Sequence, residues 1–224
     1  MNVAGKSRFG GVFFDLDGTL LDTYRDLAGA LDTVLRRHGH DPLDADSLRP
    51  FVSRGALAMV CRATGLTPES DTAQLYWREM LEAYEANTSS DTIMFPGMDR
   101  VLQFLVSRRV PWGIVTNKPG YLTHKLLQEL DLGWKPGIVI SGDSLPVKKP
   151  DPAPLIEACN QASVSPGEAV YIGDDRRDIE AGQRAGMKTI AVSYGYFPPG
   201  EIPADWAADH LVDHAHGIVD LLTY

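Results

Sequence analysis

Short apolar runs that stop at a small or acidic polar residue recur along the chain, with helical patterns between them, and this alternation constrains the fold most. The run at 12–14 ends at Asp15 and the turn Asp17-Gly18-Thr19. Runs at 110–115, 138–140, 169–172 and 189–192 repeat the form. Continuous apolar runs of this length, rich in β-branched residues, predict strands buried on both faces. Met98, Val101, Leu102 and Leu105, then Leu122, Leu126, Leu127 and Leu130, recur at helical spacing. Strands alternating with helices predict an α/β fold, a Rossmann-like parallel sheet covered on both faces. Ligands of such sheets sit beyond the carboxyl ends of the strands, where the polar residues just named fall.

One stretch breaks the alternation. From Asp22 to about Asp91 only helical periodicity is found, with Leu27, Leu31, Val34 and Leu35 as one stripe ended by Gly39. Residues 56–63 and 75–86 form two more, separated by Pro- or Gly-containing turns. The expected organisation is a catalytic core of residues 1–21 and 92–224 with an inserted α-helical cap at 22–91, set as a lid over the loop that follows the first strand. With 224 residues, the chain fits one domain carrying such an insertion.

Thirty acidic residues against 21 Lys and Arg give a formal charge of −9, which repels a phosphate backbone over most of the surface. Nucleic acid is therefore excluded as a partner, while an anionic metabolite needs a pocket made locally positive. Two distant cysteines, Cys61 and Cys159, offer neither a disulfide framework nor a metal site and fit a cytoplasmic setting. Residues 1–11 hold no apolar stretch long enough for a signal peptide, and no run reaches membrane-spanning length. Monomer and homodimer are both compatible with the sequence.

Asp15 and Asp17, two apart at a strand end, can both face a pocket if the chain turns between them, as Gly18 permits. Crowded carboxylates repel unless a cation compensates, so the pair points to Mg²⁺ held by oxygen ligands; an Asp-Gly surface turn is the plainer alternative. Asp174, Asp175 and Asp178 close another strand. A helix N-cap needs only one acid, so Asp174 reads as a metal ligand and Asp178 as a partner behind it, the two sharing one helix face. Thr116 and Asn117 supply a hydroxyl and an amide suited to phosphate oxygens, and Lys148-Lys149-Pro150 supplies a cation on a stiffened loop. Arg54, before Gly55 in the insert, can present a guanidinium to an anion, or be an ordinary surface arginine. His210, His214 and His216 lack a third well-spaced ligand and read as a solvated loop rather than a metal site. Tyr76, Trp77 and Met80 read as core of the helical insert, and Trp112, Trp134 and Trp206 as gap-fillers around the sheet.

Asp15-x-Asp17-Gly18-Thr19, Thr116-Asn117, Lys149-Pro150 and Gly173-Asp174-Asp175-x-x-Asp178, in that order, resemble the four-motif signature of the haloacid dehalogenase superfamily of phosphohydrolases. The resemblance covers essentially the whole chain, the helical insert being similar to that superfamily's cap. Phe95-Pro96-Gly97, Val115-Thr116-Asn117-Lys118-Pro119 and Tyr194-Gly195-Tyr196 resemble the phosphoglycolate phosphatase group. That group includes phosphatases of N-acetylmuramic acid 6-phosphate from cell-wall recycling, which the segment from Phe51 to Ala56 resembles. The resemblance implies Asp15 as nucleophile forming an aspartyl phosphate and Asp17 as acid/base. It implies Mg²⁺ on Asp15, Asp174 and the backbone carbonyl of Asp17, with Thr116, the Asn117 amide and Lys149 on the phosphoryl oxygens. Asp175 stands where the family often has Ser, and Lys148 beside Lys149 competes for the lysine role. The implied reaction is hydrolysis of a small phosphate monoester, 2-phosphoglycolate first, with N-acetylmuramic acid 6-phosphate or a sugar phosphomutase reaction as alternatives.

A phospho-signalling receiver domain also groups acids, Thr and Lys around Mg²⁺, but needs neither Asp17 nor the 22–91 insert. A dehalogenase of the superfamily would lack the second Asp. A pure binding protein would have no reason to keep nucleophile, acid/base and lysine together.

Overall fold

The computed structural model describes residues 7–223; the part of the expected start that falls on residues 1–6 lies outside them. Six parallel strands form one sheet in the order β5-β4-β1-β6-β7-β8. They are β1 (Gly11–Phe14), β4 (Trp112–Val115), β5 (Ile138–Ile140), β6 (Ala169–Gly173), β7 (Lys188–Val192) and β8 (His210–Val212). Every residue of β1, β4 and β6 is buried, which is why these strands read as unbroken apolar runs.

Successive side chains of β1 point to opposite faces. Val12 and Phe14 join Val101 and Leu105 of α5 (Met98–Ser107) and Ile218 of α9 (His216–Leu222) in one core. Phe13 joins Leu155 and Cys159 of α7 (Ala153–Ala162) and Ala181 of α8 (Arg176–Ala185) in the other. α6 (Gly120–Glu129) adds Leu126 to the first face. The strand order reverses at β1, between β4 and β6, so the carboxyl edge there is the topological switch point where ligands bind.

Between β1 and β4 the chain runs through α1 (Tyr24–Arg37), α2 (Ala45–Leu48), a 3₁₀ turn (Arg49–Arg54), α3 (Ala56–Thr64) and α4 (Asp71–Ala86). These pack on one another through Leu31, Val34, Met59, Met80 and Tyr84, a core separate from those of the sheet. Entry and exit are joined by a two-stranded antiparallel ribbon, β2 (Leu21–Asp22) with β3 (Ile93–Met94), a feature too short for periodicity to announce. Buried Asp26 holds the exit by accepting from the Asp91 N–H and the Thr92 hydroxyl.

One expectation is corrected. His210 lies in edge strand β8, not in a solvated loop, and pairs with Ile190 in parallel register. Tyr76 and Met80 are core as expected, and Trp77 packs against that core while staying half-buried and lining a cavity. Among the described residues no helix is long and apolar enough to cross a membrane.

Candidate active site

The carboxyl ends of β1, β4 and β6 bring the strand-end residues together. Asp15 follows β1 and is anchored by its N–H on the Ile172 carbonyl, 2.9 Å. Asp174 follows β6, and α8 begins only at Arg176, so Asp174 and Asp178 do not share a helix face. The strand end and the first helical turn converge instead: ligand atoms of Asp15, Asp174 and Asp178 lie within 4.8 Å of one another. Asp175 is the N-cap, accepting from Arg177 N–H, while Asp178 caps in return by accepting from Asp175 N–H. The Asp17 carboxylate stands outside this cluster, and Asp178, expected behind it, stands within.

Lys149 closes the cluster. Its Nζ lies 2.7 Å from Asp178 Oδ1, 2.9 Å from Asp15 Oδ1 and 2.7 Å from the Tyr171 hydroxyl, which itself donates to the Val115 carbonyl. The Asp15 contact is an ion pair off the hydrogen-bonding axis, which leaves Oδ1 buried without a bonded donor. Lys148 is exposed at the cavity mouth, so geometry separates the two neighbouring lysines. The Asn117 side chain sets their register by donating to the Lys149 carbonyl and accepting its N–H, both at 3.0 Å. That engagement uses one of the amide's two N–H groups, and Asn117 lines the cavity. Thr116 is buried and its hydroxyl accepts the Lys118 N–H.

Burial and the crowd of carboxylates raise Asp174 and Asp178 above the usual carboxylate range. Asp174 is pushed up by burial, then by Asp15 and Asp178. Burial also raises Asp178, to about 7, with Lys149 working against it and Asp15 and Asp175 adding to it. For Lys149, burial pulls down but Asp15 and Asp178 prevail, so it stays charged. Asp175 is lowered, because Arg177 and Arg54 outweigh burial.

A hard divalent cation fits this donor set: three carboxylates, one with an orphaned buried oxygen, on a closely cradled floor. Glycine is required in that cradle. A Cβ on Gly18, whose φ is +89°, would sit 2.1 Å from Asp174 Oδ2, and one on Gly195 2.2 Å from Asp174 Cβ. Asp174 accepts from Thr19, from Ser53 of the helical insert and from the Tyr196 N–H.

Sequence reasoning missed Lys118, which is buried with its Nζ 3.0 Å from Asp17 Oδ1 and 3.0 Å from the Tyr84 hydroxyl. A lysine two residues beyond the strand-end Thr116 was the available signal. Tyr171 was invisible as well, being one more apolar-run residue.

Above the acids lies a cavity of about 440 Å³. Its floor is Asp15, Asp17, Thr116 and Lys149, and its far wall is apolar, with Leu57, Met59, Trp77 and Leu81 from the insert. Arg54 stands at the rim, paired with Glu201 and near Asp175 at 3.7 Å.

A family model described as haloacid dehalogenase-like hydrolase matches residues 12–192, the span that carries all four strand-end motifs. The chain belongs to the haloacid dehalogenase-like hydrolases. An N-acetylmuramic acid 6-phosphate phosphatase of Pseudomonas aeruginosa is 38% identical over 217 residues, covering 97% of this chain and 96% of that protein. A phosphoglycolate phosphatase of Xylella fastidiosa is 38% identical over 207 residues, covering 92% and 89%. A crystal structure described as a predicted phosphoglycolate phosphatase from Haemophilus somnus superposes with a TM-score of 0.85 at 25% identity, covering 97% and 99%. This member of the haloacid dehalogenase-like hydrolases is thus a phosphatase, a phosphoric monoester hydrolase with the family's α/β fold.

Proposed function

We propose that this phosphatase hydrolyses N-acetylmuramic acid 6-phosphate in the cytoplasm, using Mg²⁺ and an aspartyl-phosphate intermediate. The cavity carries this reading. At about 440 Å³ it falls within the roughly 300–1,000 Å³ typical of sites for drug-sized ligands, and its apolar wall suits an N-acetylated sugar. A two-carbon acid would leave most of it empty. A relative with that activity in its name, aligned over nearly the whole chain, supports the same substrate. The phosphoglycolate phosphatase reading rests on an equally similar relative.

In the mechanism, Asp15 attacks phosphorus while Asp17 protonates the departing sugar oxygen, and Asp17 then takes a proton from the water that hydrolyses the acyl phosphate. Lys149 and Thr116 hold the phosphoryl oxygens and offset the charge that develops there. Asp15, Asp174 and the Asp17 carbonyl would hold Mg²⁺, which when bound neutralises phosphoryl charge and fixes its orientation. Asp178, within the same acid cluster, would complete that donor set and also holds Lys149, while Asp175 caps α8. Helices of the 22–91 cap close the cavity over the core, and Arg54 meets the substrate's carboxylate. A water at the phosphoaspartate gives a phosphatase; a sugar hydroxyl in its place would give a mutase.

The test is phosphate release from a panel with Mg²⁺ or with EDTA. The highest kcat/KM should fall on N-acetylmuramic acid 6-phosphate, with the rate lost in EDTA. A preference for 2-phosphoglycolate would overturn the substrate, and isomerised sugar phosphate without release would turn the reading to a mutase.

Two expected results follow from the site. Trp77→Ala should lower kcat/KM for N-acetylmuramic acid 6-phosphate by about tenfold or more, through lost apolar contact, and leave 2-phosphoglycolate within about twofold. Mg²⁺ should raise Tm more at pH 8 than at pH 6. Asp178 titrates near 7 when folded, above the roughly 4 of an unfolded Asp, so the metal-free protein loses stability as pH rises through that window. A cation displaces those protons and removes the loss. Thermal scans at both pH values, with and without Mg²⁺, measure it.

A further inference from the structure

Both donors that reach the Asp17 carboxylate land on one oxygen. Oδ1 accepts from the Thr23 hydroxyl at 2.6 Å and from Lys118 Nζ at 3.0 Å. Asp17 also lines the cavity, so Oδ2 is the oxygen left for the substrate. Lys118 is tied on every side. Its N–H is held by Thr116, its carbonyl accepts from the Gly142 N–H, and its ammonium sits 4.4 Å from the Tyr84 ring centroid as well as on the Tyr84 hydroxyl. Thr23 and Tyr84 both come from the helical insert side of the β2–β3 ribbon, whereas Lys118 and Asp17 come from the sheet edge.

We propose that Lys118, itself fixed by Tyr84, is a positioning residue that holds Asp17 Oδ1 as a permanent acceptor and so confines the transferable proton to Oδ2. A fixed cation 3.0 Å from Oδ1 repels a proton there, and the neighbouring hydroxyl already fills that oxygen's second direction. In the first half-reaction the Asp15–phosphorus bond forms, the bond to the sugar oxygen breaks, and the Oδ2 proton passes to that oxygen. In the second, water's oxygen bonds phosphorus, the Asp15–phosphorus bond breaks, and the proton returns to Oδ2. The arrangement is complete only with Tyr84 against the core, so the insert contributes to acid catalysis and not to substrate binding alone. The inference rests on the reading of Asp17 as acid/base.

The leaving group separates this role from a structural one. p-Nitrophenolate departs without protonation, whereas a sugar alkoxide needs the acid. Rapid mixing of Lys118→Met with p-nitrophenyl phosphate should give a burst of about one p-nitrophenol per active site followed by slow turnover. Single-turnover cleavage of glucose 6-phosphate should fall by about 10²-fold. Tyr84→Phe, which removes one hydroxyl, should shift the same ratio in the same direction by about three- to tenfold, with KM little changed. Asp17→Asn is the reference and should show the same contrast in full.

Equal loss on both substrates, or no loss on either, in Lys118→Met would overturn the proposal. If that variant does not fold, Tyr84→Phe decides on the same two outcomes. A failure of Asp17→Asn to distinguish the two leaving groups would overturn the acid/base reading instead, which keeps the two failures apart.

Discussion

Asp15→Asn is expected to lower kcat/KM by at least about 10³-fold while the protein stays folded. The amide has the shape of the carboxylate but is a poor nucleophile, and it brings no negative charge to the acid cluster. Stability should move the other way. Asp15 is among the charges that push Asp174 and Asp178 above their usual range, so its neutralisation relieves the metal-free cluster. Tm without Mg²⁺ should therefore hold or rise, and the increment that Mg²⁺ adds should shrink. Steady-state rates on N-acetylmuramic acid 6-phosphate and thermal scans with and without Mg²⁺ give both readouts. Residual activity above about 1% would remove Asp15 from the nucleophile's role, and a large fall in Tm would mean that the lost activity reports misfolding.

The residues that were legible in sequence are those whose environment is extreme. β1, β4 and β6 stand out because a strand buried on both faces leaves an unbroken apolar run, β5 and β7 because theirs are nearly so, and Asp15 and Asp174 stand out at the ends of β1 and β6. β8 shows in sequence only as a short strand-like Leu211-Val212 between Asp209 and Asp213, and its Leu211 is exposed, as befits a strand at the sheet edge. β2 and β3, two residues each, are defined by pairing with one another across a long insertion and by nothing local.

Within the site, sequence placed acids, Thr and Lys at one edge but not their partners. Asp174 and Asp178 were grouped for the wrong geometric reason, since the helix starts between them. Between Lys148 and Lys149 the sequence favours Lys149 by its place before Pro150, and the Asn117 bonds to the Lys149 backbone are the long-range pairing that fixes it there. Lys118 and Trp77 escaped because each takes its role from the other side of the cavity: Lys118 from Tyr84, and Trp77 from the opening that leaves it half-buried.

Lys149→Met should cost at least about 10²–10³-fold in kcat/KM and destabilise the fold, the two effects having one cause. Nζ touches Asp15, Asp178 and the Tyr171 hydroxyl, with the side chain only 3% exposed. Methionine fills the volume but leaves Asp15, Asp174 and Asp178 facing one another without the cation. Removing one partner of a buried pair costs about 3–5 kcal/mol, and proton uptake by carboxyls already raised offsets part of that. At 2–4 °C per kcal/mol for a chain of this size, Tm should fall by roughly 6–12 °C for about 3 kcal/mol. On the proposed mechanism the same loss should reach the phosphorylated state, where the ammonium would balance the phosphoryl charge that Asp15 receives.

Lys148→Met, one residue away and exposed, should stay within about twofold in rate and within a degree or so in Tm. Rates taken at 10–15 °C below the variant's own Tm separate the catalytic deficit from the unfolded fraction. If Lys149→Met kept its rate, or Lys148→Met lost it, the assignment of the charge-balancing lysine would pass to the other residue. The Asn117 bonds would then be holding an ordinary loop.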